Sequence, residues 1–182
     1  MANAVLVIDT LRGFLEPGYP LFCGEEARKT IPSVQSLLER ELARGSRAFF
    51  ICDTHSPDDP EFQMFPPHCI SGTVESEIVP ELASYPGVRL DKQRYSAFYG
   101  TELDRMLQDV RADRLTLCGV CTDICVLHTA ADARNRLYPV EVPIDCVASF
   151  DPEAHRWALK HMEKILGVQL VTRTGQAAAG SP

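Results

Sequence analysis

The chain has 182 residues, 45% of them hydrophobic, and carries a formal charge of -7 with a pI near 5.2. That length and content suit one domain with a full core, and the acidic balance speaks against nucleic acid or an anionic membrane surface, whose phosphates it would repel. No apolar run reaches membrane-spanning length and no signal-peptide pattern opens the chain, so a cytoplasmic protein is expected; its seven cysteines, odd in number and scattered, read as reduced thiols rather than a disulfide framework.

Ala4 to Ile8 is a continuous apolar run, the pattern of a strand buried on both faces, and it ends on Asp9. After a loop rich in Gly and Pro, helical periodicity through Ile31, Val34, Leu37, Leu38 and Leu42 predicts a helix from Glu25 to Gly45. Arg47 to Cys52 reads as a second strand, followed by Asp53 and a long loop, Thr54 to Thr73, of the kind that is functional or disordered in small domains. A short helix near Val74 to Leu82 leads to a third strand at Val88 to Leu90, with Asp91 and Lys92 behind it, and then to a helix from Thr101 to Val110.

The stretch Leu115 to Ala133, LTLCGVCTDICVLHTAADA, is a short apolar strand broken at Gly119, with Thr122 or Asp123 as the expected N-cap of a helix. Cys125 falls in the first turn of that helix, where the backbone amides favour thiolate over thiol and can receive an oxyanion. The ordinary role of a cysteine in an apolar run is core packing, and Cys118 and Cys121 fit it. The C-x2-C-x3-C series they make with Cys125 straddles strand, turn and helix and has no fourth cysteine nearby, so it is a poor match to a metal or cluster site. Val140 to Ile144 and Val168 to Val171 complete the strands, with a helix from Asp151-Pro152-Glu153 between them. A single domain over residues 1–174 is expected, with a small, polar, disordered tail at 175–182.

Six strands alternating with helices predict an α/β fold: a doubly wound parallel sheet, order 3-2-1-4-5-6, with helices on both faces. In that order the first and fourth strands are neighbours and the winding reverses between them, where open α/β sheets bind ligands. Asp9, Asp53, Lys92 and Cys125 then share one edge. Their chemistry is that of acyl transfer, with a desolvated carboxylate as base, an ammonium as support and a thiol as nucleophile. A turn-capping Asp9 and a solvated Lys92 are the ordinary alternatives, and His128 is a competing base. In the long loop, Asp53 and His55 stand two apart and so point the same way in an extended chain, with Glu61 and His68 within reach. Two imidazoles and one or two carboxylates suit zinc, iron or manganese, and Pro57, Pro60, Pro66 and Pro67 stiffen the loop that carries them.

With these residues in place, GVCTDICV resembles the cysteine signature of the isochorismatase-like cysteine hydrolases, and VIDTLRGF, DKQRYSAF and DCVASFD resemble its other blocks in the same order, so that the likeness runs to about Val171. Within that family, DTHSPDDPEFQMFPPHCISGT resembles the metal loop of nicotinamidases. The resemblance implies Asp9 as general base, Lys92 as supporting cation and Cys125 as nucleophile. It also implies a cis Val120-Cys121 bond whose Cys121 amide completes an oxyanion hole. Asp53, His55, Glu61 and His68 would hold one divalent metal, zinc first and iron or manganese as alternatives, and Phe14, Phe65 and Tyr99 would surround a pyridine ring. The implied reaction is nicotinamide to nicotinate and ammonia in NAD salvage. The alternatives are a ureido or carbamoyl amidase, or a member that binds a small ligand without turnover. The expected partner is a small amide, and a homo-oligomer is compatible with the sequence. Two departures bear on substrate: Asp9-Thr10-Leu11-Arg12-Gly13-Phe14 stands where many relatives carry D-x-Q-x-D-F, and Phe65 replaces a Trp common in nicotinamidases.

Overall fold

Strand β1, Ala2–Ile8, has every side chain from Ala4 to Ile8 fully buried, because it lies in the middle of a parallel sheet covered on both faces. The structure, a computed structural model, describes residues 2–177. Around β1 lie β2 (Arg47–Asp53), β3 (Val88–Lys92), β4 (Ala112–Val120), β5 (Val140–Pro143), β6 (Val147–Ala148) and β7 (Gln169–Val171). The sheet order is β3-β2-β1-β4-β5-β7, and β6 pairs with β4 beyond the end of β5. The expected order therefore holds with one addition: β6 is two residues long, too short for any periodicity to announce it, and pairs Val147 with Gly119 and Ala148 with Val120.

Alternation along the strands sorts the core into two layers. Leu6, Ile8, Phe49, Ile51, Leu115 and Leu117 face one way, against α5 (Leu103–Asp109), α6 (Leu127–Asn135) and α7 (Pro152–Lys164). Val5, Val7, Phe50, Cys52 and Cys118 face the other, against α1 (Arg12–Leu15), α2 (Glu25–Arg28), α3 (Ile31–Ala43) and α4 (Pro80–Ala83). Among the described residues no helix is long and apolar enough to cross a membrane.

Three helices differ from the sequence expectation. The Glu25–Gly45 helix is two, α2 and α3, because Pro32 in the first turn of α3 lacks an amide hydrogen and can only sit at a helix start. The Val74–Leu82 helix is a 3-10 turn at Val74–Ser76 and α4, separated where Ile78 pairs with Leu11 and Pro80 restarts the chain. The helix after β4 starts with a wide π turn, Thr122–Val126, entered from Cys121 without a side-chain cap. Thr122 and Asp123 are spent elsewhere, on His155 and Ser149. At the C-terminal end, residues 175–177 of the expected disordered tail are placed instead: the Thr172 amide bonds Gln176 O and Val171 bridges to Ala177, while 178–182 lie outside the described residues.

Register brings the strand ends level. Ile8 pairs with Ile51 and with Gly119, and Asp53 pairs with Lys92. Gly119 is the tightest point: its φ is +113° and a Cβ there would lie 1.9 Å from the Ile8 carbonyl oxygen, so only glycine lets β4 turn away beside β1.

Candidate active site

Asp9, the first residue after β1, has φ 51° and donates its amide to Ile51 O at 2.8 Å, while its Oδ1 accepts from Asp53 N at 2.8 Å. Those two bonds fix the carboxylate across the ends of β1 and β2. Lys92, the last residue of β3, is 2% exposed, which overturns the reading of it as a solvated surface lysine. Its Nζ lies 2.9 Å from Asp9 Oδ2, 2.9 Å from Asp53 Oδ1 and 3.5 Å from Cys125 Sγ. The Asp9 contact has ion-pair distance without hydrogen-bond alignment. Acid, amine and sulfur from three strand ends thus meet around one buried ammonium.

Burial pushes Asp9 up to about 6; Asp53 adds to the rise, and Lys92 and a hydrogen bond from Cys125 oppose it. Burial also works against the charge of Lys92, but Asp9, Cys125 and Asp53 outweigh it and hold the ammonium well above its usual range. The Cys125 thiol goes up rather than down: burial and the two carboxylates exceed the pull of Lys92. The sequence expectation of a lowered thiol therefore needs correcting. A helix start stabilises a thiolate, but here the sulfur is enclosed and two anions lie beside it. The resting pair is a carboxylate and a thiol.

Beside the triad, the possible ligand atoms of Asp53, His55 and His68 all lie within 4.8 Å of one another. Asp53 Oδ2 is 3.0 Å from His55 Nε2 and 3.2 Å from His68 Nε2. Both outer ring nitrogens are engaged, His55 Nδ1 with Asp59 Oδ2 at 3.0 Å and His68 Nδ1 with Pro66 O at 2.9 Å. Two imidazoles showing Nε2 to a buried carboxylate are a donor set that fits zinc, iron or manganese. Burial works against the charge of Asp53, yet Lys92, His55 and His68 bring it well below the usual carboxylate range. Glu61 does not join that trio; it groups with His55 and Asp59, on the cavity wall, with Arg94 Nη1 3.8 Å away.

The cavity over Cys125 encloses about 390 Å³ of empty space, open solvent at its mouth included. Phe14 and Phe65 line it as expected, and Cys121, Asp9 and His68 reach it. Tyr99 does not: its side chain is 68% exposed, in a polar groove on another side of the loop. Tyr95, four residues earlier, takes the place expected of it, joined by Leu21, Ile124 and Phe150. Phe150 follows β6, the strand the sequence concealed, whereas Tyr95 lies inside the block DKQRYSAF and was open to being chosen. Phe62 was also missed; its ring packs 5.4 Å from His55 and 5.6 Å from His68. His128 is exposed and bonds Ile124 O at 2.7 Å, so it is no competing base.

The other cysteines of the three-cysteine series are not gathered with the reacting thiol, although Cys121 lines the same cavity. Cys118 and Cys121 belong to one core layer and Cys125 to the other, and Cys121 Sγ is 3.6 Å from Cys23 Sγ, so the three-cysteine series is not a cluster. The Val120-Cys121 peptide is cis.

The chain is similar to known proteins over most of its length. Residues 3–174 match the isochorismatase domain. The chain is similar to the crystal structure of the nicotinamidase/pyrazinamidase PncA from Bacillus subtilis, with 38% identity, coverage of 94% of this chain and 100% of that one, and a TM-score of 0.89. It is also similar to N-carbamoylsarcosine amidase from Thermoplasma acidophilum (33% identity, 95% and 97% covered, TM-score 0.86). The pyrazinamidase of Pyrococcus horikoshii, solved in complex with zinc, shares 30% identity over 94% of this chain and 99% of its own, with a TM-score of 0.87. By sequence over nearly its whole length and by fold, the chain belongs to the isochorismatase family of hydrolases.

Proposed function

We propose that this protein is a metal-dependent nicotinamidase, one hydrolase domain over residues 1–174, which converts nicotinamide to nicotinate and ammonia through a thioester on Cys125. The observation that carries the reading is the meeting of Asp9, Lys92 and Cys125 beneath an aromatic-walled cavity whose side is formed by Asp53 and His68. The cavity suits a small uncharged aromatic amide, and Phe14, Phe65, Tyr95 and Phe150 offer the faces for its ring.

Asp53, His55 and His68, with Glu61 alongside, would hold the divalent ion; bound there, it supplies a Lewis-acid anchor for the ring nitrogen or for an associated water. Asp9 takes the proton of Cys125 as the sulfur attacks the carboxamide carbon. From the resting thiol that transfer is uphill, so it accompanies formation of the C–S bond, while Lys92 keeps its own proton beside the sulfur. The amides of Cys121 and Cys125 are the donors proposed for the tetrahedral oxyanion. When the intermediate collapses, the C–N bond breaks and Asp9 returns the proton to the departing ammonia. Asp9 then takes a proton from water, whose oxygen attacks the thioester carbon, and the sulfur leaves to recover that proton.

A second amidase reading is a ureido or carbamoyl substrate, favoured by the similarity to N-carbamoylsarcosine amidase and by Thr10-Leu11-Arg12-Gly13 at the first block. Ammonia release across a panel of amides, with and without chelator, separates the two. The nicotinamidase reading predicts fastest release from nicotinamide and its loss on chelation. Release from carbamoyl compounds alone would transfer the assignment to the second reading.

A further inference from the structure

Asp59 stands outside the proposed ligand set yet meets it at two points. It is 4% exposed, and its Oδ2 lies 3.0 Å from His55 Nδ1. Its Oδ1 accepts from the Glu61 amide at 2.9 Å, closing the 3-10 turn Pro60–Gln63 that presents Glu61. Arg94 Nη1 lies 3.1 Å from each of its two oxygens. With the Glu61 amide and Arg94 both donating to it, its oxygens are acceptors.

We infer that Asp59 is a positioning residue for the metal site: it fixes the His55 ring and its tautomer, and through the Glu61 amide it sets where the Glu61 side chain begins. The inference rests on the metal-dependent reading above. A carboxylate held by Arg94 and the Glu61 amide can only accept at Nδ1, so that nitrogen carries a proton, and Nε2, on the side of Asp53 and His68, is the atom left to face a bound ion. His68 solves the same problem differently, with the Pro66 carbonyl at its Nδ1. A backbone carbonyl is held by the chain itself, whereas a side-chain carboxylate must be held in turn, and Arg94 does that. Loss of the Asp59 carboxylate therefore frees one imidazole ligand and slackens the turn behind a second donor, while the triad around Lys92 keeps its contacts.

The test is zinc binding by the whole protein, read by competition with a chromophoric chelator in wild type, Asp59→Ala and Asp59→Asn. The wild type is expected to bind one equivalent, and Asp59→Ala to bind about 10- to 100-fold more weakly, the usual cost of losing an outer partner of a metal-bound histidine. Asp59→Asn, which keeps one acceptor oxygen, should fall between them. Equal affinity in Asp59→Ala and wild type would overturn the role of Asp59 and leave the metal reading standing. A wild type that takes up no zinc, iron or manganese would overturn both. Should Asp59→Ala fail to fold, nitrogen NMR of the zinc-loaded wild type decides: His55 protonated at Nδ1 supports the inference, and His55 protonated at Nε2 overturns it.

Discussion

Lys92 is the residue on which the site's electrostatics turn. Its ammonium lies 2.9 Å from both Asp9 and Asp53, and it has no solvent-exposed side-chain surface. Lys92→Met would leave the buried Asp9 carboxylate without its cation and take one from Asp53, so a loss of about 3–5 kcal/mol of stability is expected in denaturant titration, the usual result of breaking a buried ion pair from one side. A loss below about 1 kcal/mol would contradict the burial argument. Asp9 gives a pH prediction. Its pKa is raised from 3.8 to about 6, so the base form exists above that value, and kcat/KM should fall as pH drops through the region near 6 rather than near 4. A divalent ion beside Asp53 would move this limb lower. A profile flat down to pH about 4 would contradict the assignment of Asp9 as base. Asp9 was legible in sequence because it directly follows an apolar strand, and Cys125 because it follows a strand-to-helix break; Lys92 ends a largely exposed strand, VRLDK, and stood out through the family resemblance. The direction of the Cys125 shift was not legible, since it depends on two anions brought from β1 and β2.

At the scale of elements, the turn from β4 into α6 decides whether Cys125 reaches the cavity. Gly119 permits the close passage beside Ile8, and Gly119→Ala should cost about 3 kcal/mol or more in thermal or denaturant unfolding, because the added carbon meets backbone rather than a mobile side chain. Unchanged stability would show that the strands can separate there without loss. The same turn is tied to α7 by Thr122 Oγ1 and His155 Nδ1 at 2.9 Å. Helix existence was readable from apolar spacing, as in α3 and α7, but the interruption at Pro32 and the π turn at Thr122 were not. The π turn depends on the partners that Thr122 and Asp123 find in the folded chain, whereas Pro32 is a local signal that the apolar spacing across it masked. Loops were harder still. The segment after β3 has no period, so Tyr95 and Tyr99 were indistinguishable by pattern, and β6 was too short to see.

For the whole molecule, the reversal of winding between β1 and β4 places residues distant in sequence at one edge, and that topology followed from the βα alternation alone. The long Thr54–Thr73 loop then brings His55 and His68 to Asp53 at the same edge, and the proposed metal dependence would link metal retention to turnover. His68→Ala should therefore lose bound metal by elemental analysis together with activity; full metal content in that variant would dissociate the loop from the metal. The central claim is covalent catalysis by Cys125 under Asp9 and Lys92. Its most direct test is mass spectrometry of wild-type protein quenched in acid during turnover of nicotinamide, with Cys125→Ala alongside. The account predicts a nicotinoyl adduct on the Cys125 peptide of the wild type, and neither adduct nor ammonia release from the variant. Ammonia release by Cys125→Ala at the wild-type rate, or an adduct confined to another cysteine, would contradict it.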